Sequence, residues 1–78
     1  MPDEPGAALY RRIGGAIKAT RQARGLTQAQ IADAVGVLRT SVANIEAGRQ
    51  RLPIDLLYDI ADALRCDPRE LLPPTEEV

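Results

Sequence analysis

From about residue 8 to residue 72 the apolar side chains recur at intervals of three and four and never strictly at two, and Gly, Pro and capping residues cut the run repeatedly. Such spacing lines one face of a helix, whereas a strand needs alternation, so the chain is constrained to short helices joined by tight turns. With neither Phe nor Trp among 78 residues, those helices must meet through Leu, Ile, Val and Ala. A chain of this length removes only about 60% of its unfolded surface from water, which gives one thinly stabilised domain and no room for a large enzyme.

Leu9, Ile13, Ala16, Ile17 and Thr20 line a first helix, about 8 to 24, that ends at Gly25. Within it, Gly14-Gly15 costs up to ~1 kcal/mol per residue relative to Ala, so the pair either admits a close neighbour or softens the helix. Thr27 with Gln30 three residues later spells a capping box and opens a second helix, about 28 to 35, which buries Ile31, Ala32 and Val35 and stops at Gly36. A third, about 39 to 47, buries Val42 and Ile45 and stops at Gly48. Pro53 falls in the first turn of a fourth, with Asp55 at the favourable end of its dipole and Leu57, Ile60, Ala61 and Leu64 as its stripe. Asp67 and Glu70 cap a short fifth helix whose apolar face is Leu71 and Leu72. The expected fold is all-α and compact, with five helices over 8–72 and flexible tails at 1–7 and 73–78, where Pro2, Pro5, Gly6 and Pro73-Pro74 disfavour helix.

The chemistry available is narrow. There is no His and a single Cys, Cys66, which removes His acid–base catalysis, Cys/His zinc sites and an internal disulfide. No metal, cofactor or enzymatic activity is expected. The start, MPDEPGAA, has no signal-peptide pattern and no apolar run reaches about 18 residues, so a soluble, cytoplasmic protein is the expectation.

Two short helices joined through one Gly, the second showing small and polar residues outward, form the pattern of a helix-turn-helix. With Val42 and Ile45 inward and about 100° between successive residues, Thr40, Ala43, Asn44 and Ala47 face away and Arg39 lies on the flank. A slim helix of this kind fits a major groove about 12 Å wide, where Arg pairs with guanine, Asn with adenine, and Thr offers a methyl or a hydroxyl. The formal net charge of −1 hides an uneven distribution. From Tyr10 to Arg51 eight cations face only Asp33 and Glu46, a balance of +6, while the remainder carries −7. The helix-turn-helix half is basic enough to meet phosphate, and the acidic remainder helps decide which face docks.

The stretch LTQAQIADAVGVLRTSVANIEAGRQRLP resembles the Cro-repressor and lambda-repressor-like helix-turn-helix family, with its Thr-Gln start, Ala-x-x-x-Gly centre and Ile-Glu-x-Gly ending. Arg21 in RQARG and the segment LLYDIADALRCDPRELL extend the resemblance to about 8 to 72. The resemblance implies a regulator that binds palindromic double-stranded DNA as a homodimer. It assigns base contacts to Arg39, Thr40 and Asn44 with Ala43 beside them, and phosphate contacts to Gln28, Ser41, Arg49 and Arg51, Gln28 also bracing the recognition helix. It also makes Arg21 and Glu46 an interhelical ion pair; independently, Arg21 lies one turn beyond Ile17 at the edge of the buried stripe and needs a partner there. Tyr58, Leu71 and Leu72 are the expected dimer interface, because one recognition helix offers little surface and a small core gains from covering them. With no length left for an effector domain, control through concentration and the chain's own promoter is expected. Small phage repressors and restriction-modification controllers are similar in size; an antitoxin that binds its operator, or a helical protein-interaction module without DNA, is the alternative.

Two positions depart from the family pattern. Leu38, just before the recognition helix, stands where relatives carry a capping Ser or Thr; it packs against helix two or a partner subunit, or it touches a thymine methyl. Arg65-Cys66 stands where many relatives carry Gly, and Cys66 is either buried packing or a redox-sensitive thiol.

Overall fold

A computed structural model describes residues 6–75. Four α-helices, α1 (Ala7–Ala23), α2 (Gln28–Val35), α3 (Arg39–Glu46) and α4 (Ile54–Leu64), are followed by a single 3₁₀ turn at Pro68–Leu71. No strand occurs among the described residues, and no helix among them is long and apolar enough to cross a membrane. Residues 1–5 of the expected N-terminal tail and 76–78 of the expected C-terminal tail lie outside the described residues.

The expected fifth α-helix is therefore one 3₁₀ turn. Its cap forms as its residues predict: Asp67 Oδ1 accepts from the Arg69 N–H and Glu70 Oε2 from the Asp67 N–H, both at 2.8 Å. Propagation stops at Leu72, whose backbone is extended (φ −99°, ψ 130°), because the ring of Pro73 disfavours helical geometry in the residue before it. Pro53 also moves, from the first turn of α4 to its N-cap. Its extended ψ of 146° leaves its carbonyl as the first acceptor, taken by the Leu57 N–H at 3.0 Å.

Ile17, Ile31, Val42, Ile45, Ile60, Leu64 and Leu71 are fully buried, so each α-helix and the 3₁₀ turn contributes to one aliphatic core. Leu71, at 1% exposure, cannot also be a dimer contact. The 3₁₀ turn packs against both α1 and α4 and drives that side chain into the single chain's own interior. Tyr58 and Leu72 remain exposed.

The glycine pair divides its two readings. At Gly14 a Cβ would collide with the Ile45 carbonyl oxygen and sit 2.7 Å from that of Glu46, so this glycine lets α1 lie directly on the end of α3. At Gly15 a Cβ would meet nothing within 4 Å. Arg65 ends α4 in the left-handed conformation (φ 57°, ψ 45°), and is the one non-Gly residue with positive φ among the described residues. The Cys66 N–H reaches back to the Ala61 carbonyl at 3.0 Å, a Schellman closure of the helix. Arg24 at the end of α1 completes it, donating to the carbonyls of Leu64 at 2.9 Å and Arg65 at 3.3 Å. Cys66 packs half-buried against the core, and that burial pushes its thiol pKa up, away from reactivity.

Candidate nucleic-acid interface

The second helix of the pair is set by its neighbours on three counts. Val42 and Ile45 anchor α3 in the core. Gly14 admits its end against α1. The capping box at Thr27 and Gln30, with bonds of 3.0 and 2.8 Å, fixes where α2 begins. With α3 so held, Arg39, Thr40 and Ala47 are exposed, while Ser41, Ala43 and Asn44 are half-buried rather than fully outward.

A continuous polar chain runs from the interior to this surface. Arg21 Nε donates to Glu46 Oε2 at 2.6 Å and its Nη2 to Glu46 Oε1 at 3.0 Å, while Nη1 donates to the Leu26 carbonyl at 2.8 Å. The hydrogen bond to Glu46 is the largest influence on Arg21 and raises its pKa. Glu46 Oε1 also accepts from Gln28 Nε2 at 3.0 Å, and Gln28 Oε1 accepts from Arg39 Nη1 at 3.1 Å. The direction is chemically determined. A carboxylate can only accept, so the Gln28 amide must turn its nitrogen to Glu46, which leaves its oxygen for a guanidinium that can only donate. Gln28 and Arg39 are the first residues of α2 and α3, and the exposed Arg39 is thus tied through one amide to a buried ion pair.

Arg49 is exposed in the loop after α3, its N–H bonded to the Asn44 carbonyl at 2.9 Å. The Arg51 guanidinium lies 5.9 Å from the Tyr10 ring centre, a cation–π approach that ties this loop to α1. Leu38, at 73% exposure, is not packed against α2. Tyr58 on α4 and Leu72 beyond the 3₁₀ turn take no part in the polar chain. The link from Arg24 to the end of α4 and the approach of Arg51 to the Tyr10 ring escape sequence reading, because neither pair leaves a local pattern across its long separation.

The helix-turn-helix family model HTH_3 matches residues 17–71. An HTH-type transcriptional regulator of Sinorhizobium fredii is 31% identical over 69 residues, covering 88% of this chain and 90% of that protein. Among solved structures, the restriction-modification controller protein C.AhdI of Aeromonas hydrophila superposes with a TM-score of 0.78 at 30% identity, over 81% of this chain and 96% of that one. The hypothetical transcription factor NHTF of Neisseria superposes at 0.80 with 26% identity, over 99% and 91%. A match across the core and the α2–α3 pair, together with the observed geometry, means that the chain belongs to the HTH_3 helix-turn-helix family of transcriptional regulators.

Proposed function

We propose that this regulator binds double-stranded DNA sequence-specifically as a homodimer, α3 of each subunit entering the major groove at one half of a palindromic operator. The observation that carries this reading is the exposed Arg39, held by Gln28 at the start of a slim helix. A guanidinium positioned there presents its fork to guanine O6 and N7. Thr40 beside it and Asn44 one turn on, with Ala43 keeping the face slim, extend the readout. Gln28, Ser41, Arg49 and Arg51 take the flanking phosphates. The +6 balance between Tyr10 and Arg51 favours this face over the acidic α4.

The dimer brings together Ile54 and Tyr58, one turn apart on α4 and 66% and 59% exposed, with Leu72 also uncovered. Two-fold symmetry sets half-sites about 10 bp, or ~34 Å, apart. The test is selection from random duplexes at low salt, with the chain's own promoter region as the first natural candidate. Enrichment of a palindrome, bound with affinity that falls steeply as salt rises, is the expected result. A selection that enriches no sequence overturns the reading.

A further inference from the structure

Leu38 is the most exposed large apolar side chain among the described residues, and it occupies the N-cap of α3. Its backbone does the work of a cap: the carbonyl accepts from the N–H groups of Ser41 at 3.0 Å and Val42 at 3.3 Å. Its side chain does not, since no cap hydrogen bond forms and a leucine has no oxygen to offer. Nor does it add to the core. Val37 takes the apolar place in the turn, packed against the core cluster, and the extended backbone at Leu38 (φ −75°, ψ 148°) sends the next side chain to solvent. A residue that neither caps nor packs stands immediately before the exposed Arg39 and Thr40.

We propose that Leu38 is a specificity-determining residue that packs on the C5 methyl of a pyrimidine next to the base read by Arg39. This rests on the DNA-binding reading above. In a major groove whose base edges are otherwise polar, a pyrimidine C5 methyl is the group that an apolar side chain can cover. Thymine carries that methyl, and 5-methylcytosine carries it at the same place. Leu38 continues the base-reading end of α3, so the methyl it meets lies beside the Arg39 contact and not elsewhere on the duplex.

The experiment uses the full chain and its selected operator, with each thymine replaced in turn by uracil and each cytosine by 5-methylcytosine. Binding is compared with Leu38→Ser, which supplies the missing polar cap and so retains the fold. For wild type, uracil at one position per half-site weakens binding roughly fourfold, as expected for exposing one methyl group. If the pyrimidine is cytosine, 5-methylcytosine there strengthens binding by a similar factor. Leu38→Ser loses that sensitivity while its melting temperature is no lower. Sequence-specific binding that ignores every methyl overturns this proposal alone, as does Leu38→Ser retaining the discrimination. Loss of the dimer in Leu38→Ser with methyl sensitivity unchanged makes Leu38 a partner contact and overturns it too. Failure to select any duplex overturns the DNA-binding reading itself.

Discussion

Arg21 and Glu46, 25 residues apart in sequence, meet in a two-pronged ion pair with both side chains almost withdrawn from water, at 9% and 7% exposure. The pair joins the end of α1 to the end of α3, and Glu46 passes the connection on to Gln28. Its two duties, balancing a buried charge and orienting the surface, are separable by mutation.

Glu46→Gln leaves the Arg21 guanidinium buried without its counter-charge and should lower stability by roughly 3 kcal/mol, read as the shift in a urea midpoint followed by helical circular dichroism. The double change Arg21→Met with Glu46→Leu removes both charges and should recover most of that loss, since apolar pairs commonly match buried ion pairs. It should not recover DNA affinity, because Gln28 has then lost its anchor. Equal loss of stability in the single and double variants would refute the charge argument.

Gly14 and Gly15 should respond oppositely to alanine. The new methyl of Gly14→Ala strikes backbone carbonyls that cannot yield without moving α3, and a cost above about 2 kcal/mol follows. Gly15→Ala places its methyl in open space and should gain about 0.5–1 kcal/mol from helix propensity. Thermal unfolding of the two variants side by side checks this, and similar shifts in the same direction would contradict the close α1–α3 approach.

What could be read in the sequence was what is encoded locally. The capping boxes at Thr27 and Asp67 and the stripes through Ile17, Val42 and Ile60 depend on spacing within one helix, and all are where their spacing puts them. Leu71 was misplaced because its apolar character does not say whether a neighbouring helix or a second subunit covers it; the turn's docking on α1 and α4 decides that. The Gly14-Gly15 pair was ambiguous for the same reason. In the candidate site, the family pattern pairs Arg21 with Glu46, while the bond from Gln28 to Arg39 depends on two helix starts being side by side, a tertiary fact.

Arg65→Gly should stabilise the protein. A non-Gly residue in the left-handed region costs about 1–2 kcal/mol, partly offset by the greater freedom glycine has in the unfolded chain, leaving a net gain of about 0.5–1 kcal/mol. The bond from Arg24 reaches the main-chain carbonyl and survives the change. A melting temperature that fails to rise by a few degrees would show that the Arg65 side chain contributes more than its backbone conformation costs.

Acid should weaken the 3₁₀ turn specifically. The Arg69 side chain and N–H hold the Asp67 carboxyl down to about 2 from its usual 3.8. A lowered carboxyl pKa stabilises the fold above the unfolded value and loses that contribution as pH falls from about 4 towards 2. The pair is solvent-exposed, so its effect is small and salt-sensitive. Asp67→Asn, which keeps a capping oxygen without the charge, should therefore be less stable than wild type at neutral pH and low salt, and should converge with it near pH 2. A difference that does not change with pH would place the effect in the cap instead of the charge.

Gln28 should couple energetically to Arg39 and not to Arg49. In a double-mutant cycle on the selected operator, Arg39→Ala should cost about 1–3 kcal/mol and relax base preference at its position, whereas Arg49→Ala should weaken all sequences alike and reduce the salt slope by about 1. Gln28→Ala frees the Arg39 guanidinium from the one side-chain hydrogen bond that holds it among the described residues, so much of what Arg39 contributes is already lost in that background. The expected coupling is about 0.5–1.5 kcal/mol, as for residues in direct contact, against near-additivity for Gln28 with Arg49. Salt dependence separates the two duties of Gln28. If it acts through Arg39, Gln28→Ala changes base preference at fixed salt, and if it serves only as a phosphate contact, the same variant lowers affinity for every duplex and shows no coupling to Arg39.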